Sequence, residues 1–146
     1  MATPGDYLTG RMRTEKDVEA YLRQMNRTFE TVEGEKGTFL VHSSPSMPSI
    51  VVRVDPPLVV VRVRIADARS ANVSLLRKLL EYNAEGLVHT AYGLEKEHIV
   101  LSSALELENL DMNELQATLD EVDLALAQQV PHLARLVRPE SIPPRA

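Results

Sequence analysis

The chain has no cysteine and no tryptophan, and aromatic residues make up only 4% of its 146 positions. Without cysteine there is no thiol nucleophile, no thiolate metal site and no disulfide scaffold. None is needed at this length, because a domain of about 150 residues buries roughly 68–70% of the surface its unfolded chain exposes. The absence also accords with a reducing compartment, and a cytoplasmic location is expected. Basic charge is scarce too: 16 Lys and Arg face 21 Asp and Glu, for a net charge of −5 and a pI near 5.4. That balance argues against a general binder of nucleic acid or anionic membrane. No apolar run approaches the roughly 20 residues of a membrane span, and the first residues lack an apolar signal stretch, so no membrane insertion is expected. What is present, 44% hydrophobic and 25% charged residues, is the composition of one globular domain.

Periodicity along the chain gives the elements. Pro4, Gly5 and Gly10 punctuate a stretch without pattern, so residues 1–13 read as a flexible arm. Thr14 and Asp17 have the spacing of a capping box, and Val18, Tyr21, Leu22 and Met25 follow at helical intervals. Two β-prone runs, 29–32 and 38–41, flank Gly34 and Gly37, which mark a hairpin turn. Residues 43–49 are a Ser- and Pro-rich loop. The runs 50–54 and 58–65 carry the clearest strand signal, joined by a turn at Asp55, Pro56 and Pro57. Residues 72–87 read as a helix with Gly86 as its C-cap, and a further hairpin spans 89–94 and 98–107. Asp111 and Glu114 open a last helix striped by Leu115, Leu119, Val122 and Leu126. Pro131 is expected to end or kink that helix near Gln129, with a short turn over 132–137 and a flexible tail over 138–146. Residues 14–137 thus form one α+β domain: an antiparallel sheet flanked by three helices, in the order α-β-β-β-α-β-β-α.

Tests for chemistry find little. Gly34 and Gly37 lack the helix that a phosphate-binding loop opens into. The histidines at 42, 89, 98 and 132 show no metal-ligand spacing. Neither G-x-S-x-G nor S-x-x-K occurs. The acids at 95, 97, 106, 108 and 111 fall on turns and solvated faces, where no carboxyl pKa is raised for acid–base work. No enzyme, no cofactor, no metal and no catalytic residue is therefore expected.

Two patterns point to binding. On the strands 50–65, alternation sends Ile50, Val52, Val54, Val59, Val61, Val63 and Ile65 to the core. The other face then carries Val51, Leu58 and Val60 interleaved with Arg53, Arg62 and Arg64, with Arg53 opposite Val60 and Val51 opposite Arg62. Apolar stems among guanidinium groups suit a protein partner, particularly an acidic amphipathic one; the competing expectation is that Glu106 and Glu108 neutralise the arginines. In the helix 72–87, apolar residues cover an arc of about 200°, against the roughly 100° of an ordinary surface helix. The surplus edge, Leu75, Leu79 and Tyr82, is expected to meet a second copy in a homodimer or to be covered by a neighbouring helix.

The order of elements, the run of Leu79, Leu80, Glu81, Tyr82 and Asn83, the strand entry at 86–93, the strand at 99–105 and the late helix before Pro131 together resemble the YbjN and type III secretion chaperone-like (Tir-chaperone-like) group. The resemblance spans about residues 14–137. It implies a secretion-chaperone-like fold, homodimers, and a non-catalytic module that captures a segment of a partner or exported protein. The alternative expectation is a small regulatory or sensory domain binding a ligand between helix and sheet.

Overall fold

A computed structural model describes residues 13–137 of the chain. Helix α1 (Glu15–Gln24) opens on the expected box: the Thr14 hydroxyl accepts from the Lys16 N–H, and Asp17 accepts from the Thr14 N–H at 2.7 Å. Strands β1 (Thr28–Val32), β2 (Glu35–His42), β3 (Ile50–Asp55) and β4 (Leu58–Asp67) follow as antiparallel hairpins. Helix α2 (Val73–Glu85), capped by Asn72, then leads to the hairpin β5 (Ala91–Glu95) and β6 (His98–Glu106). The sheet order is β1-β2-β3-β4-β6-β5, every neighbouring pair antiparallel. Four strands precede α2, matching the runs read at 29–32, 38–41, 50–54 and 58–65; the element order α-β-β-β-α-β-β-α counts one too few there.

Helix α3 (Met112–Leu124) runs through a π-helical stretch (Ala125–Gln129) into α4 (Val130–Val137). Pro131 was expected to end or kink the helix near Gln129, and the α-helical ladder does give way to a π-helical stretch there; the short turn expected over 132–137 is corrected, because those residues are helical. The Val130 N–H bonds back five residues to the Ala125 carbonyl, and Pro131 then sits in the first turn of α4, where its missing N–H deprives no ladder. The hairpin between β1 and β2 also turns more tightly than expected. Gly34 (φ +80) is at the turn, whereas Gly37 lies within β2 at φ +88, its α-carbon facing the Val54 carbonyl and the Glu15 side chain of α1. A side chain there would be strained by that left-handed backbone.

All the helices cover one side of the sheet. Val41, Ile50, Val52, Val59, Val61, Val63, Ile99 and Leu101 line that side, and Val18, Leu22, Leu115, Leu119, Val122 and Leu133 press down on it. Each fully buried leucine contributes about 1.5–3 kcal/mol, so this interior holds the domain together. The arm and tail expected at 1–13 and 138–146 fall outside the described residues, except Arg13, whose Nε donates to the Leu110 carbonyl at 3.2 Å.

Candidate binding surface

With every helix among the described residues on one side, none of them covers the opposite face of the sheet. The observed register matches the one read from sequence: Arg53 lies opposite Val60, and Val51 opposite Arg62. The rows continue across β6, where Val60 faces Ala104, Arg62 faces Ser102 and Arg64 faces Val100, and end on β5 at Ala91 and Gly93. These last positions carry almost no side chain, and the space above Gly93 is open. On this face lies a trough of about 490 Å³ lined by Val51, Val60 and Val100 with Arg53, Arg62 and Arg64, which also touches Ser49, Asp55 and Glu95. Leu58, at the β3–β4 turn, is 37% exposed at its rim.

The arginines are not neutralised as expected. Glu106 pairs with Leu58 in the ladder, and neither it nor Glu108 forms an ion pair with them among the described residues. Instead Glu35, near the β1–β2 turn, lies 3.6 Å from Arg53, and Glu95, on the far edge strand, reaches Arg62 at 3.1 Å. All four side chains are about half exposed, so each pair is worth at most about 1 kcal/mol and exchanges readily for another partner. Arg64, exposed on the same strand, makes no ion pair among the described residues. Other depressions have their cations committed. In the wide one between α1 and β1, Arg23 bonds Glu19 and stacks on Phe29, and Arg27 bridges Asp120 and Asp123.

The dimer edge assigned to α2 is corrected. Leu75 and Leu79 are buried within this one chain, against Ile65, Ile99, Val130 and Leu133, and half-buried Tyr82 packs beside Tyr92. The neighbouring helix that covers them is α4, over residues where only a short turn was expected. The apolar residues α2 leaves in the open are Val73, Leu76 and Leu80, the last 68% exposed. Between helix and sheet only about 50 Å³ of apolar space is left, far below the roughly 300 Å³ at which small-molecule pockets begin.

Three polar arrangements escaped the sequence reading. Asn83, inside the apolar arc of α2, accepts from the Tyr92 N–H at 2.8 Å and donates to the Tyr92 carbonyl at 3.0 Å, standing in for a strand beside β5. Glu121 on α3 accepts from the N–H groups of Val88, His89 and Thr90 and from the Thr90 hydroxyl, which fastens the entry of β5 to the helix layer. Burial would raise its pKa, but these four donors together outweigh burial and lower it. The Glu121 contacts join residues more than thirty apart in the chain, and the Asn83 pair, nine apart, forms only because β5 folds back beside α2. Lastly, Ser49 Oγ lies 3.1 Å from His42 Nδ1, and His42 Nε2 lies 2.7 Å from Glu30. That is the order of a hydrolytic triad, yet Glu30 is 66% exposed, in water rather than in the enclosed setting where such a carboxylate orients and charges a histidine. Among the described residues no group of three His, Asp or Glu side chains gathers as a metal site.

Comparison with known proteins agrees with this architecture. No curated protein matches the sequence. Among solved structures, a chain of the heterodimeric ExoU-SpcU complex of the Pseudomonas aeruginosa type III secretion system is similar at a TM-score of 0.61 and 15% identity, over 84% of this chain and 98% of that one. YbjN of E. coli, described as a putative transcription regulator, is similar at a TM-score of 0.62 and 8% identity, over 84% and 95%. The complex of the Yersinia pestis secretion chaperone SycH with a fragment of YscM2 is similar at 0.55 and 17%, over 77% and 97%. These likenesses show that the chain has the α+β fold of the secretion chaperones and YbjN. The model of the CesT_Tir_1 family matches residues 11–139, nearly the whole sequence, and the chain belongs to that family.

Proposed function

We propose that this chain is a non-catalytic, chaperone-like binding module that holds a segment of a partner protein on the open face of its sheet. The observation that carries the reading is that face itself: half-buried Val51 and Val60, beside the more deeply set Val100, lie between Arg53, Arg62 and Arg64, and no helix among the described residues covers them. Membership of the family supports it, as does likeness to chains solved in the ExoU-SpcU heterodimer of a type III secretion system and in the complex of a secretion chaperone with a YscM2 fragment. A surface of this kind buries apolar area at its centre and leaves the charges at the rim to orient the partner. The expected setting is the cytoplasm, with no nucleic acid bound; no helix among the described residues is long and apolar enough to cross a membrane.

The module acts as a homodimer in this reading, and its seam is the exposed row Val73, Leu76 and Leu80 of α2, since a two-fold axis would set the same row of both copies together. Light scattering at micromolar concentration tests it: dimer for the native chain, folded monomer for Leu76→Asp with Leu80→Asp. The binding reading is tested by purifying the chain with its bound polypeptide, identifying that polypeptide by mass spectrometry, and repeating the purification with Val60→Asp. Loss of the polypeptide from a folded variant is the expected result. Retention would overturn the assignment of the surface.

A further inference from the structure

We infer that the segment captured on this face is acidic and extended, with carboxylates at alternate positions followed by a small apolar residue. The inference rests on the binding reading above and adds the chemistry of the partner. The first argument is charge. On a chain of net charge −5, the exposed face of β4 presents Arg62 and Arg64 side by side. Two of the three arginines of the trough are met by carboxylates that arrive from elsewhere, Glu35 from the start of β2 and Glu95 from the end of β5. The molecule itself thus shows where a carboxylate docks, and at Arg64 none is supplied among the described residues.

The second argument is spacing. Arg62 and Arg64 are two residues apart on one strand, about 6.7 Å at the usual rise per residue. Carboxylates two residues apart on an extended segment have the same separation. A segment running antiparallel to β4 and stacked on the sheet would meet Arg64, then Arg62, and set its next alternate side chain over Val60, beside Ala104, where only a modest apolar group is needed. The third argument is room: Gly93 leaves open space next to Val100 and Arg64, so a backbone can approach there more closely than over Val51 and Val60. Asp55 and Glu95 also line the trough and oppose an acidic partner. Asp55 lies at the β3–β4 turn, away from Arg64, whereas Glu95 competes directly for Arg62.

That competition gives the test a readout that a purely apolar groove would not produce. The probe is a fluorescent twelve-residue peptide of alternating Glu and Thr ending in Val-Thr-Val, compared by anisotropy with the same peptide carrying Lys in place of Glu. The expected result is at least tenfold tighter binding of the Glu peptide in low salt. Affinity should fall several-fold with Arg64→Gln, and rise several-fold with Glu95→Gln, because that change removes the internal competitor. Equal binding of both peptides, or weaker binding after Glu95→Gln, would overturn the inference. If neither peptide binds while Val60→Asp still sheds the natural partner, the acidic chemistry fails and the surface stands. If Val60→Asp keeps that partner, the surface fails as well.

Discussion

Val60 and Val61 are neighbours on β4 with opposite surroundings: Val61 is completely buried beneath the helices, and Val60 is half-buried on the face that no described helix covers. The two sides of the sheet share a backbone and a hydrogen-bond ladder but differ in what limits their sequence. The inner side is limited by packing, where a change of one methylene is felt. The outer side carries valine and arginine in alternation, a pattern that stability alone does not require. Apolar side chains retained where they gain little for folding point to contact with another molecule.

Substitutions at these neighbours should break the comparison most strongly if it is wrong. Val61→Asp places an unpaired charge in the interior and should cost at least about 3–5 kcal/mol, enough to unfold a marginally stable domain. Val60→Asp should cost less than about 1 kcal/mol. Urea titrations followed by circular dichroism would measure both, and similar losses would mean that the outer face is also structural.

Next in size is Glu121→Gln, which weakens four charge-assisted hydrogen bonds and should cost about 1.5–3 kcal/mol near pH 7. Because the carboxyl is held below its ordinary value of 4.5, its stabilisation is present above that value and disappears as pH falls through the lowered one. The gap between native and variant stability should therefore narrow with acidification, a trend that thermal melts at pH 7, 5 and 3.5 would reveal. Hydrogen exchange should find the amides of Val88, His89 and Thr90 loosened in the variant and the outer face unchanged. Gly37→Ala comes next, at about 1–3 kcal/mol from its left-handed backbone. Smallest is Arg62→Ala, whose exposed pair with Glu95 should contribute less than about 1 kcal/mol to folding, as a melt would show.

The sheet was legible because it is encoded locally. Alternation from Ile50 to Ile65 fixes both faces and, through the tight turn at Pro56 and Pro57, the register of Arg53 with Val60 and Val51 with Arg62. Contacts between distant segments were less so. The wide apolar arc of α2 was visible, but its cover depends on α4 continuing past Pro131, and that depends on a π turn with no local signature. The arginines were legible and their partners were not, because Glu35 and Glu95 reach them from other strands across a surface whose relief only the assembled sheet defines. Asn83 and Glu121 look in sequence like ordinary polar helix residues, and their roles appear only when β5 comes to lie beside them.

The most direct test of the central claim is the affinity of the co-purified polypeptide for the Val60→Asp chain, measured alongside its melting temperature. The account predicts at least a tenfold loss of affinity, about 1.4 kcal/mol, with the folded state essentially as stable as before. Undiminished binding by a folded Val60→Asp chain would contradict it and move the site off the open face of the sheet.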